Sequence, residues 1–181
     1  MKELSLHILD IMQNSIRAEA SQIRLHIEEN IISNRLTISI EDNGKGMSNE
    51  MVEGVKDPFV TSRNLRKVGL GIPLLNQLCM ECNGNVTIES KKNIGTKIIA
   101  SMEYDHIDRL PIGDMAKTIT TLIMGKPFIH CIYIHSFNNS SFTFDTEEIK
   151  AVLDGVPIQN LEVLAWLEEY ITQNIREIKG K

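Results

Sequence analysis

The stretch Glu41-Asp42-Asn43-Gly44-Lys45-Gly46-Met47 follows directly on Arg35-Leu36-Thr37-Ile38-Ser39-Ile40, a run in which apolar and polar residues alternate. Alternation puts Leu36, Ile38 and Ile40 on one face of a strand, and the same period of two carries Asp42 onto that face, toward the interior. A carboxylate there is costly unless an N–H or O–H meets it, so the protein or a ligand must supply a donor at that point. Gly44 and Gly46 open backbone conformations closed to other residues and let a flat group approach the main chain. The amino group of an adenine ring meets these conditions.

A chain of 181 residues with 42% hydrophobic content is one domain, or one domain with a small appendage, and supports an ordinary core. Residues 1–103 carry 12 Lys/Arg against 13 Asp/Glu, while 104–181 carry 7 against 11, which argues against nucleic acid as a partner of the tail. Glu3 and Asp10 interrupt the apolar residues at the amino terminus, and no run approaches ~20 apolar residues. The expectation is a soluble, cytoplasmic protein with no membrane association. Three cysteines, an odd number, argue against a disulfide framework.

Ser5 is a candidate cap for a helix running to about Ala20. Turned by 100° per residue, Leu4, Ile8, Leu9, Ile11, Met12 and Ile16 form an apolar arc, and His7, Asp10, Gln13, Asn14 and Arg17 a polar one. Taken alone, such an arc is a solvated face. Gln22 to Glu28 alternates, with Ile23, Leu25 and Ile27 inward, and pairs through a loop at Asn30 to Asn34 with the 35–42 strand. Ser48 caps a short helix to Val55. Lys56 to Lys67 is a basic loop without a clear period, and it leads to Val68-Gly69-Leu70-Gly71-Ile72-Pro73, a glycine-led helix start that presents free N–H groups to a phosphate. That helix closes near Asn83-Gly84. Val86 to Glu89 and Thr96 to Met102 read as two further strands, with Thr96 on the face of Ile98, Ala100 and Met102, and so facing Asp42 if the two strands are neighbours.

The order of these boxes resembles a known family. A helix with Asp10 and Asn14, then Asp42-Asn43-Gly44-Lys45-Gly46-Met47, Pro58-Phe59-Val60-Thr61, Gly69-Leu70-Gly71-Ile72 and Gly95-Thr96 before a strand is similar to the ATP-binding domain of the histidine-kinase-like ATPase superfamily. Its members include sensor histidine kinases, anti-sigma-factor serine kinases, type II topoisomerases, Hsp90 and MutL. The resemblance covers residues 4 to about 103. It implies the Bergerat fold, a two-layer α/β sandwich with a mixed sheet backed by helices, as a domain over 1–103, followed by a small α+β extension over 104–181. It implies ATP with Mg²⁺: Asn14 as the metal ligand, Arg17 at the phosphates, Asp42 reading adenine, and Gly44, Gly46 and Met47 beside the base. Thr96 belongs near the same edge, and Gly69, Leu70 and Gly71 on the phosphate side. Asp57 to Lys67 is the expected lid, with Phe59, Thr61, Arg63 and Lys67 toward the nucleotide.

Asp10, four residues before Asn14, stands where the hydrolytic members and the serine kinases have a glutamate base, and is one methylene shorter. Lys67 stands in place of the first glycine of the phosphate-side motif and brings an ammonium there. Only nine residues precede Asp10, too few for the helix pair that carries a histidine kinase's phosphoacceptor, so the acceptor is expected on another protein. His7 reads as a polar residue at the rim of the site rather than a phosphoacceptor, and His26, His106, His130 and His135 lack ligand spacing. Cys79 and Cys82 read as a packed helix face.

The tail reads as a helix over Gly113 to Met124, a hairpin of Phe128 to His135 and Phe142 to Asp145 across Asn138-Asn139-Ser140, and helices over Thr146 to Leu153 and Asn160 to Ile178. The last has an apolar stripe, Leu161, Leu164, Leu167, Ile171, Ile175 and Ile178, which reads as core, with a homodimer or partner helix as the alternative. The functional expectation is a regulatory protein kinase with Asp10 as its catalytic residue, acting on a partner protein. The alternatives are a non-catalytic ATP/ADP-dependent switch and, after it, an autonomous ATPase.

Overall fold

Leu4, Ile8, Ile11 and Met12 are buried along one side of α1 (Leu4–Arg17) and fix how that helix lies on the sheet. The computed structural model describes residues 2–55 and 71–180. Full burial of each such side chain is worth roughly 1.5–3 kcal/mol. The helix is not capped by Ser5. Glu3 holds the N-cap position without a side-chain bond, and the first amides are taken by the tail: Leu4 N–H donates to the Pro111 carbonyl at 2.9 Å and Ser5 N–H to that of Ile112 at 2.7 Å. The helix ends three residues before Ala20, because Glu19 takes a left-handed conformation (φ 62°).

The chain then builds β1 (Gln22–Asn30), β2 (Arg35–Asp42), α2 (Asn49–Val55), α3 (Gly71–Glu81), β3 (Asn85–Lys91) and β4 (Gly95–Glu103). It continues with α4 (Met115–Gly125), β5 (His130–Phe137), β6 (Ser140–Asp145), α5 (Thr146–Leu153) and α6 (Leu161–Lys179). The six strands of the described residues form one sheet in the order β3-β4-β2-β1-β5-β6. Neighbours are antiparallel except β1 and β5, which run parallel, so the sheet is mixed. The expected alternation holds: Ile23, Leu25, Ile27, Leu36, Ile38, Ile40, Val86, Ala100 and Met102 are buried. Asp42 and Thr96 are direct partners across β2 and β4.

Residues 104–181 extend this sheet, so a boundary at residue 103 falls between strands of one continuous layer. The tail helix begins at Met115 rather than Gly113, because Gly113 has φ 87° and Asp114 caps the helix by accepting from Lys117 N–H at 2.9 Å. The β5–β6 turn is Asn138-Asn139, with Asn138 left-handed, and Ser140 already belongs to the strand. The α6 stripe is core from Leu164, Leu167 and Ile171 to Ile178, but Leu161 is exposed because it lies at the helix start, beyond the packed layer. No helix among the described residues is long and apolar enough to cross a membrane.

Candidate nucleotide site

Asp42 ends β2 beside the carboxyl-terminal half of α1, and both of its oxygens meet protein donors. Ser15 Oγ donates to Oδ2 at 2.6 Å and Gly44 N–H to Oδ1 at 2.9 Å. A carboxylate has about four lone-pair positions, so capacity remains for a ligand N–H. Ser15 was not legible as a site residue. Its signal is position: it follows Ile11 by one turn and is a hydroxyl on the side of the helix that is otherwise apolar, where it is 4% exposed.

A second hydroxyl outside the sequence reading, Ser90, ties the opposite wall together. Its Oγ accepts from Met47 N–H at 2.8 Å, lies 2.8 Å from Thr96 Oγ1 and donates to the Gly95 carbonyl at 3.0 Å. The group that approaches the two motif glycines is the protein's own backbone. A side chain at Gly46 (φ 64°) would lie 2.0 Å from the Lys91 carbonyl oxygen, and one at Gly44 would lie 2.8 Å from that of Ala18. These glycines clamp the loop between the end of α1 and the β3–β4 hairpin. Asn43 Oδ1 completes the clamp by accepting from Ser21 and Gln22 N–H, both at 2.9 Å.

The resulting cavity, of about 630 Å³, is lined by Asn14, Ser15, Arg17, Asp42, Gly46, Met47 and Thr96 over an apolar floor of Ile11, Ile72 and Ile98. Lys45, also outside the expected set, joins this lining and pairs with Glu19 at 2.5 Å. Asn14 Oδ1 accepts from Arg17 Nη1 at 2.6 Å, while Asn14 Nδ2 is buried without a partner among the described residues. Asp10 does not line the cavity. It lies against the start of α3, where a side chain at Gly71 would come 2.2 Å from its Oδ2. His7 is buried, not at a rim: it sits under α3, and burial lowers its pKa. Phe59, Thr61, Arg63, Lys67, Gly69, Leu70 and the expected lid lie outside the described residues. Cys79 and Cys82 are fully buried, and burial pushes the Cys79 thiol up to about 12.

Residues 2–106 match the family model described as histidine kinase-, DNA gyrase B- and HSP90-like ATPase. The chain belongs to this ATPase family. Among curated relatives, sporulation kinase D of Bacillus subtilis is 28% identical over 95 residues, which are 52% of this chain and 19% of that protein. The sensor protein RprX of Bacteroides fragilis is 31% identical over 108 residues, 52% of this chain and 20% of that one. The chain thus spans about a fifth of the length of these relatives. Among solved structures, the ADP-complexed ATPase domain of Aquifex aeolicus MutL aligns with a TM-score of 0.50 at 12% identity, over 85% of this chain and 70% of that one. The N-terminal domain of a DNA repair protein aligns with a TM-score of 0.52 at 15% identity, over 80% of this chain and 52% of that one. At these identities the structures speak for the fold, and the histidine-kinase-like ATPase domain rests on the family match.

Proposed function

We propose that this protein binds ATP with Mg²⁺ and transfers the terminal phosphoryl group to a partner protein, as a regulatory kinase. The observation that carries the reading is Asp42, a carboxylate oriented by Ser15 and Gly44 in the lining of a cavity that Asn14 and Arg17 also line. A fixed acceptor at that point suits the amino group of adenine and repels the carbonyl oxygen of guanine.

Among the described residues no cluster of three or more His, Cys, Asp or Glu side chains is placed to hold a metal. Asn14 offers one amide oxygen, which accepts from Arg17 Nη1. That suits an ion that keeps most of its oxygens on phosphate and water, as Mg²⁺ does, with Arg17 turning from Asn14 to the phosphates. When bound, the ion neutralises phosphate charge, and the protein's part is to position the two reactants. Asp10, near the glycine-led start of α3, is the residue suited to take the acceptor's proton, but its short side chain is poorly suited to activating free water, so hydrolysis should be slow.

Calorimetry with Mg-ATP, Mg-ADP and Mg-GTP tests the base pocket. Labelled ATP, incubated with the purified protein and fractionated partner proteins, tests transfer. Equal affinity for ATP and GTP would sink the pocket, and turnover of ~1 s⁻¹ or more by the isolated chain would mark an autonomous ATPase instead.

A further inference from the structure

Among the described residues the sheet has two edges, β3 and β6, and they are finished differently. β3 carries Glu89 and Lys91, both exposed, and charges of this kind keep other chains off a sheet edge. β6 is Ser140-Ser141-Phe142-Thr143-Phe144-Asp145, with no lysine, arginine or proline. Its one charged residue, Asp145, is engaged within the chain, as the cap of α5 and the partner of His130. The register of β6 with β5 runs without a bulge from Ile132 opposite Asp145 to Phe137 opposite Ser140. In such a pair alternate residues turn their N–H and C=O groups away from the partner strand. Outside the ladder, the backbone of residues 141–144 makes no hydrogen bond among the described residues. That edge is open to a further strand.

α6 adds a second feature along the same border. Leu164, Leu167 and Ile171 are buried in the core, and Glu168 faces α4, where it accepts from Thr120 Oγ1 at 2.9 Å. At about 100° per residue, Val163, Trp166 and Tyr170 fall on the side of the helix away from α4. That side overhangs β6: the Tyr170 ring meets Phe142 edge-to-face, with centroids 5.7 Å apart. Trp166 stacks on Tyr170 at 5.3 Å and is 47% exposed. A half-exposed indole held on a rigid helix offers a large apolar surface with little rotamer freedom left to lose. Glu162 and Glu169, four residues before and three after Trp166, are both exposed.

We infer that the border formed by β6 and the Trp166 side of α6 is a docking site for an extended, basic segment of a partner protein, which joins the sheet as the strand beyond β6. The backbone groups of a sheet edge are matched by another strand, so the occupant is extended rather than helical. Side chains of a strand alternate between its two faces. One row of the incoming strand lies beneath Val163, Trp166 and Tyr170 and takes apolar residues, while the other runs beside the exposed Ser141 and Thr143. Glu162, Glu169 and the exposed Glu148 at the start of α5 set the charge. They favour lysine or arginine in the partner, and they oppose a second copy of this chain, which would bring the same acids to the same border. β1 and β5 separate this edge from β2 and Asp42, and the docking site stands independently of the phosphoryl-transfer reading.

Trp166 is the chain's one tryptophan, so its fluorescence reports on the site directly. A short peptide of alternating lysine and valine, added to the full chain without nucleotide, should shift the Trp166 emission saturably. It should bind at least about 10-fold more tightly than the same peptide with glutamate in place of lysine. Backbone methylation of the peptide tests the mode of binding. An added strand bonds through one of its two edges, so methylating the nitrogens of the lysines, or those of the valines, should abolish binding in one case and leave it unchanged in the other. By calorimetry, Trp166→Ala should weaken binding about 10-fold and Trp166→Phe less. Equal affinity for the acidic peptide, an equal response to the two methylations, or a Trp166→Ala protein that binds like wild type overturns the inference. A dimer in sedimentation that Trp166→Ala dissociates overturns it as well, because the edge would then belong to a second copy.

Discussion

Asp42 keeps two protein donors and has capacity for a third, and this division predicts how its neighbours share the base pocket. Asp42→Ala should lose about 1.5–3 kcal/mol of ATP binding, the range for a hydrogen bond to a charged group. Ser15→Ala should lose less, about 0.5–1.5 kcal/mol, because Gly44 N–H still orients the carboxylate. Calorimetry of both variants checks the order, and a Ser15→Ala protein weaker than Asp42→Ala would contradict it. In the middle of α1, Asp10→Asn should abolish phosphoryl transfer and leave ATP affinity nearly intact, since Asp10 does not line the cavity. A large fall in affinity with transfer retained would place Asp10 among the binding groups instead. Asp42 was legible from alternation alone. Ser15 and Ser90 were not, because a serine carries no periodic signal and its meaning depends on what stands across from it.

At the scale of elements, the glycines separate by what surrounds them. Gly46→Ala places a methyl group at a positive φ and 2.0 Å from the Lys91 carbonyl oxygen, so the loop and the β3–β4 hairpin must part. We expect a loss of at least about 2 kcal/mol by urea unfolding, together with weakened ATP binding. Gly125, the last residue of α4, has nothing within 4 Å of an added methyl group. Gly125→Ala should be neutral or stabilising by up to about 1 kcal/mol. Equal destabilisation by the two would show that backbone propensity, not the clash, governs. The helix caps divide in the same way. Asp114 and Asn160 act locally, accepting from amides two or three residues on, whereas the first amides of α1 are satisfied by Pro111 and Ile112, about a hundred residues away in sequence.

Across the whole molecule, the tail is fastened at the end of the sheet remote from the cavity. Glu29, 2% exposed, accepts from His135 Nε2 and Lys179 Nζ, each at 2.6 Å, and from Tyr104 Oη at 3.1 Å. Tyr133 Oη in turn lies 2.5 Å from His135 Nδ1, so the imidazole bridges the tyrosine and Glu29. Burial pushes the Glu29 carboxyl up, but the bonds from His135 and Lys179 outweigh it and hold it below its ordinary value of 4.5. A group depressed in the folded state contributes stability that is complete above its unfolded pKa and is lost as pH falls through the folded one. The stability gap between wild type and Glu29→Gln should therefore be full near pH 6, above the ordinary carboxylate value, and narrow as pH falls below that value. Unfolding in urea across that range checks it, and a gap that widens toward acid would overturn the assignment. Lys179→Met should cost about 1–3 kcal/mol, since it takes one charged donor from a buried carboxylate while two others remain.

The local patterns of the sequence determined most of the strands, the polar and apolar arcs of α1, and the place of Asp42 and Thr96 on one interior face, because periods of two and 3.6 are properties of neighbouring residues. The order of the glycine and aspartate boxes carried the family resemblance in the same way. Only the tertiary structure decided that the tail adds two strands to the same sheet, with β5 parallel to β1. It also decided that His7 is buried against α3 and that Glu29, next to Glu28 on a strand, is the buried anchor of the last helix. Each of these joins residues far apart in the chain. Such a pairing is selected by the packing of whole elements against one another, and no window of sequence contains both of its members.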